Sequence, residues 1–304
     1  MRRTFTGNPC RVSSRRAGAV AVAGLACGVA LGAAPAALAL DKQGSAHGGA
    51  VGGQDTGFAV SGTLSAGVSP YNPTYAARPD NSGHALMRYA AHLDVDLLGR
   101  RLSVPLDVNF LSDRDRGGGR ALLPSELDLI TGLTSTWEAG SGAVEVGARV
   151  EHDRAIDRTA AAQTYADVRA RYLFASGDRF PAVSAALGGG GFAGHVTLGW
   201  FAYNKNYFAR PENTGLALFR YTLHFEVSAW HDRLALGVDG TFFTDRRASN
   251  VVRPSELDLT PALIARFRSV EAQLAYERDM PLDRGGLVQH FVYLLVGWNF
   301  SLPW

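Results

Sequence analysis

Val292-Tyr293-Leu294-Leu295-Val296-Gly297-Trp298-Asn299-Phe300-Ser301-Leu302-Pro303-Trp304 is the stretch whose reading decides the fold. Val292, Leu294, Val296, Trp298, Phe300, Leu302 and Trp304 share one parity, while Gly297, Asn299, Ser301 and Pro303 share the other. A period of two sends alternate side chains to opposite faces of an extended strand, so the apolar groups meet one medium and the small polar groups another. The pattern recurs upstream. Met87, Tyr89, Ala91, Leu93, Val95 and Leu97 alternate with Arg88, Ala90, His92, Asp94 and Asp96, and Leu102, Val104, Leu106, Val108 and Phe110 alternate with Ser103, Pro105, Asp107, Asn109 and Leu111.

The chain also reads as one unit written twice. Tyr-Asn-Pro-Thr-Tyr-Ala-Ala-Arg-Pro-Asp-Asn-Ser-Gly at residues 71 to 83 returns as Tyr-Asn-Lys-Asn-Tyr-Phe-Ala-Arg-Pro-Glu-Asn-Thr-Gly at 203 to 215. Arg88, His92, Asp94 and Asp107 reappear as Arg220, His224, Glu226 and Asp239, and Pro-Ser-Glu-Leu-Asp-Leu occurs at 124 and again at 254. Such self-similarity marks an internal duplication, here of repeat one at 57–175 and repeat two at 195–304, joined by a flexible linker at 176–194 that contains Gly188 to Gly191.

Alternation and turn residues predict six strands in each repeat. In the first they run Gly57–Ser69, Ala85–Leu98, Arg101–Asp113, Ser125–Glu138, Ala143–Arg154 and Thr164–Ala175. In the second they run His195–Asn206, Ala217–Trp230, Arg233–Asp245, Ser255–Arg268, Val270–Asp279 and Val288–Trp304. Connections alternate between tight turns, such as Gly99-Arg100 and Arg268-Ser269, and long polar segments.

The first 39 residues read as a secretory signal peptide. Arg2, Arg3, Arg11, Arg15 and Arg16 precede an Ala-, Val- and Leu-rich stretch ending Ala37-Leu38-Ala39, where cleavage is expected; a flexible Gly-rich segment occupies 40–56. Both cysteines, Cys10 and Cys27, fall inside this peptide, so the remainder has no thiol for a disulfide, a metal or nucleophilic chemistry. Removing five of the 30 basic residues and none of the 28 acids takes the formal charge from +2 to −3, which gives no basic patch for a nucleic-acid partner. After the signal peptide no stretch approaches the run of about 18 apolar residues that a membrane-spanning helix needs.

A terminal strand of this kind, ending on an aromatic residue behind an export signal, resembles the last strand of bacterial outer-membrane β-barrels. That resemblance implies an all-β, antiparallel up-and-down transmembrane barrel of twelve strands, porin-like, with apolar residues on lipid, polar residues on a lumen and both termini in the periplasm. It implies outer-membrane lipid and lipopolysaccharide as surroundings, and the barrel-assembly machinery as a partner recognising the strand that ends at Trp304. Trp137, Tyr172, Phe174, Trp200, Phe267, Trp298 and Trp304 take lipid parity near strand ends, where interfacial girdles belong.

Two luminal constellations follow from hairpin geometry. A two-residue turn at Gly99-Arg100 sets His92 opposite Asp107, and one at His231-Asp232 sets His224 opposite Asp239; with Arg88, Asp94, Arg220 and Glu226 these form the expected pore lining. Turns at Gly140-Ser141 and Arg268-Ser269 set Asp128 opposite Asp153 and Asp258 opposite Asp279, with Glu126, Glu151, Glu256 and Glu277 one inward position away. Each repeat thus gathers four carboxylates towards the outer mouth. Like charges at that spacing need compensation, from Ca²⁺ as a possible cation ligand, from a shared proton, or, as the commoner solution, from arginines such as Arg114, Arg149, Arg158, Arg246 and Arg284.

Acids outnumber arginines on the luminal parity, so the expected function is a diffusion channel for small hydrophilic solutes with a mild preference for cations. Two rivals use the same architecture. Twelve-stranded barrels include lipid A deacylases and phospholipases, but His92 and His224 lie on the luminal parity with no serine placed beside them by sequence. A closed barrel whose external loops bind lipopolysaccharide, a surface ligand or a partner is the other.

Overall fold

β11, Val270–Pro281, shows why this chain folds as it does. Val270, Leu274 and Tyr276 are exposed while Glu271, Gln273, Glu277 and Asp279 between them are buried. A sheet in water buries its apolar parity, so this strand is amphipathic in the opposite sense. Its neighbours repeat the inversion: Leu263 is 48% exposed and Leu294 47%, whereas Asp258 is buried at 3%.

The computed structural model describes residues 58–71, 86–98, 101–112, 126–156, 162–176, 180–205, 218–244, 256–282 and 288–303. Twelve strands run in chain order: β1 Ala59–Tyr71, β2 Leu86–Leu97, β3 Leu102–Ser112, β4 Glu126–Ala139, β5 Gly142–Ala155, β6 Gln163–Ala175, β7 Phe192–Lys205, β8 Leu218–Ala229, β9 Leu234–Thr244, β10 Glu256–Phe267, β11 as above and β12 Gln289–Pro303. Every sequence neighbour pairs antiparallel, and β1 pairs with β12, from Ala59 with Pro303 through Leu64 with Trp298 to Val68 with Leu294. The sheet is a closed barrel. Closure leaves no edge, which in hydrocarbon matters more than any side-chain contact, because each unpaired backbone group there costs several kcal/mol. The strands are 11 to 15 residues long, enough to cross a bilayer, which takes about 9 to 11 tilted residues.

Tight connections share one rim with the start of β1 and the end of β12. Leu98, Trp230, His231, Asp232 and Arg268 adopt positive φ in the turns there, the conformation that lets a two-residue turn follow the strand twist. The predicted strand boundaries agree with the observed ones to within three residues. Between β6 and β7 the chain is in part helical. The segment expected to be flexible contains a one-and-a-half-turn helix, α1, Pro181–Ala186, started by Pro181 in its first turn. The chain then lies along the β8–β9 turn, whose Trp230 and His231 amides donate to Leu187 O (2.9 Å) and Gly188 O (3.1 Å). Gly190 is needed for that approach, since a Cβ there would stand 2.1 Å from Ser228 O. The other end carries the long connections, which fall outside the described residues together with Trp304.

The interior is not uniformly polar. Ala235, Ala262, Ile264, Ala275, Phe291 and Tyr293 form a buried apolar cluster against which Leu86 and Leu295 pack, and Tyr165, Phe201 and Leu218 form a second. Tyr293 and Leu295 belong to the luminal parity of the deciding stretch, so one wall of the lumen is greasy where simple alternation expects small polar groups.

Candidate functional site

The functional surface of a closed barrel is its lumen, and here cross-strand pairing arranges it in rows. On one level Thr63, His92, Asp107, Ile130, Glu151 and Tyr165 follow one another across β1 to β6. The predicted His92–Asp107 pair is formed, with Nδ1 2.5 Å from Asp107 Oδ1, while Nε2 stands 2.8 Å from Asp94 Oδ2. At the corresponding level of the second half His195, His224 and Asp239 follow across β7 to β9. His224 Nδ1 is 2.9 Å from Asp239 Oδ1, and its ring stacks obliquely on His195 with centroids 5.3 Å apart. In His92 both ring nitrogens are taken by carboxylates, which leaves none for a serine hydroxyl.

The halves diverge at the next luminal step. Asp94 serves His92, but Glu226 instead accepts two parallel bonds from Arg266 Nη1 and Nη2, each 2.8 Å, while Arg266 Nε donates to Glu271 Oε2 at 2.8 Å. Arg171 donates to Glu145 Oε2 (3.3 Å) and Thr197 Oγ1 (3.2 Å). These bridges gather on the half of the lumen nearer the short turns. Arg266, Arg171 and His195 were not singled out from the sequence; luminal parity alone marks them.

Towards the other rim the rows become acidic. Asn109, Asp128, Asp153 and Gln163 follow across β3 to β6, and Thr241, Asp258, Asp279 and Gln289 across β9 to β12. Both predicted carboxylate pairs are therefore in register. They are deeply buried rather than set at an open mouth: Asp153, Asp258, Asp279, Glu151 and Glu277 are all buried. Glu256 begins β10 and is half-buried; the Glu126 side chain lies outside the described residues.

Of the arginines named for compensation, Arg149 is the one described. Arg149 is spent on Asp167, Nε to Oδ2 at 2.6 Å, and Arg114, Arg158, Arg246 and Arg284 lie outside the described residues. Among the described residues the cations beside the acids are Arg88 and Arg220. Arg88 lies over the Tyr293 ring at 4.9 Å and within electrostatic reach of Asp128 and Glu277. Arg220 sits between the rings of Phe201 (4.8 Å) and Phe243 (4.7 Å), with Asp258 in reach. A guanidinium on an aromatic face keeps its edge free for carboxylates, which a lysine could not do equally well. Among the described residues no three His, Cys, Asp or Glu side chains converge as a metal site would require, so the expectation of bound Ca²⁺ finds no ligand set there.

No protein-family model matches this chain, and no curated protein matches it. Several solved structures do. The chain is similar to an outer membrane channel from Pseudomonas putida F1, at 13% identity over 83% of this chain and 100% of that one, with a TM-score of 0.45. It is similar to a NanC porin at 9% identity, 78% and 98% coverage and a TM-score of 0.44. It is also similar to the outer membrane channel DcaP of Acinetobacter baumannii at 8% identity, 81% and 98% coverage and a TM-score of 0.43. At these values no residue of one can be matched to a residue of another.

Proposed function

We propose that this chain is an outer-membrane diffusion channel for small hydrophilic solutes, with a mild preference for cations. The observation that carries the reading is the inverted burial, with exposed Leu, Val and Trp outside and buried acids, histidines and arginines inside a closed sheet. An apolar exterior belt has no use in water, and a polar interior suits the passage of ions and polar solutes. The preference for cations follows from the buried carboxylates of the acidic rows, against which stand Arg88 and Arg220.

Export completes the reading. Residues 1–39 are removed, the short-turn rim and both termini face the periplasm, and the strand ending at Trp304 is handed to the assembly machinery. Intact mass of the protein recovered from outer membranes is expected to match a chain beginning at Leu40.

Reconstitution into planar bilayers tests the function. Stepwise conductance is expected, with a reversal potential of cation-selective sign in a KCl gradient. Silent bilayers with demonstrably inserted protein would remove the channel, and an anion-selective sign would remove the preference.

A further inference from the structure

Two arginines stand on the outer face of the wall. Within the described strands the exposed cationic side chains are Arg154 on β5 and Arg278 on β11, and both share the parity of the lipid-facing leucines and valines. The cost of a cation against lipid is greatest at the bilayer midplane and fades towards the interface. Arg154 is one residue from the end of β5 and Arg278 three from the end of β11, at the rim of the long connections. That position makes the charges tolerable without giving them a partner. Among the described residues no acid is paired with either arginine, and no Asp or Glu shares the lipid parity of β5, β6, β11 or β12.

Each arginine has donors beside it. Register pairs Arg278 with His290 on β12, and residues that face each other across an antiparallel pair bring their Cβ atoms to about 5 Å. Tyr276 stacks on the His290 ring with centroids 5.9 Å apart, and with its hydroxyl donating to Nδ1 at 2.5 Å a neutral imidazole carries its proton on Nε2. Half a barrel away His152, one lipid-facing step inward from Arg154, meets Thr164 Oγ1 on β6 through Nδ1 at 3.0 Å, and Thr164 is paired in register with Lys205 on β7. Towards the membrane centre the same parity turns apolar, with Leu274 and Leu294 beyond one group and Val150 and Val168 beyond the other.

Resting on the channel reading above, which sets the long connections on the outer side, we propose that these two patches seat the phosphates of the outer leaflet's glycolipid, lipid A. The Arg278 and Arg154 guanidinium groups and their neighbouring imidazoles donate to the phosphate oxygens, while the acyl chains lie along the apolar rows further in. Arginine suits a phosphate because its planar fork donates two parallel bonds, and such charge-assisted pairs gain strength where water is sparse. A free phosphate would meet the donors and leave the apolar rows uncovered, whereas a headgroup joined to hydrocarbon answers both.

Native mass spectrometry of the detergent-solubilised barrel, titrated with bis-phosphorylated lipid A, tests the seats; phosphatidylglycerol and lipid A stripped of both phosphates are the comparisons. Two tight lipid A adducts per barrel are expected, and weaker retention of both comparison lipids. Arg278→Gln and Arg154→Gln are each expected to raise the half-occupancy concentration of one adduct about tenfold, the loss expected when a charge-assisted pair becomes neutral, and the double variant weakens both. Both substitutions lie on the outer wall away from the luminal contacts, and retarded electrophoretic migration before boiling identifies folded variants. Equal retention of phosphatidylglycerol or of the stripped lipid, or a folded double variant that holds lipid A as the parent does, overturns the seats; stepwise conductance of the same preparation still leaves the channel. Tight lipid A binding with silent bilayers removes the channel and keeps the seats.

Discussion

At the residue scale the histidine-carboxylate pairs and the lipid-facing leucines make opposite demands. His92 is buried with both ring nitrogens against carboxylates, so removing one partner leaves the other group stranded in a poorly solvated interior. Asp107→Ala is expected to destabilise the barrel by about 3 kcal/mol in urea unfolding from lipid vesicles, within the range measured for broken buried pairs. Asp239→Ala should cost a similar amount, because it strands the buried His224 ring. Outside, Leu263 sits near the middle of β10 opposite Leu274 on β11. Leu263→Arg should cost about 2 to 4 kcal/mol, the midplane penalty for a cation on lipid, whereas the native cation Arg266, one residue from the end of β10, carries no such penalty because it faces Glu226 and Glu271. The pairs were legible before any coordinates existed because a two-residue turn fixes every partner along a hairpin. The side-chain partner of Arg88 was not, since it lies on a strand distant in sequence: Arg88 reaches Tyr293 on β12, across the closure.

At the scale of elements, strand parity was readable because each strand meets lipid on one side along its whole length, so the pattern is unbroken for 11 to 15 residues. The join between halves was not. Gly188 to Gly191 look like slack chain, yet Gly188 and Gly189 take positive φ and Gly190 fits against the backbone of Ser228. Glycine there serves close approach rather than mobility, and sequence alone does not separate the two uses. Gly190→Val is expected to detach residues 180–191 from the β8–β9 turn while the barrel persists. Limited proteolysis should then cut within that segment at least about ten times faster than in the parent, with the strands still protected, since cleavage follows the population of the open form. Equal cleavage rates would show that the segment holds without this contact.

At the scale of the whole molecule, stability resides in closure. Deleting Gln289–Pro303 removes β12 and exposes the edges of β1 and β11. That truncation is expected to yield no heat-resistant, slowly unfolding species in vesicles, and a band of fully unfolded mobility is the measurement that checks it. The barrel, its strand count and its polarity were all apparent in the chain, because each follows from periodicity and turn spacing. The greasy patch of Phe291, Tyr293 and Ile264 inside the lumen was not, because which side chains meet across a barrel depends on curvature and stagger rather than on any one strand. The outward-facing side chains have a further consequence. They rest against fluid acyl tails, which conform to any shape, while those inside must fit one another. Sequence drift in descendants of this chain should therefore swap Leu, Val and Phe freely at sites such as 263, 274 and 294, and hold the inner rows nearly still; a deep mutational scan scored by surface display would reveal that contrast as alternating tolerant and intolerant positions along every strand.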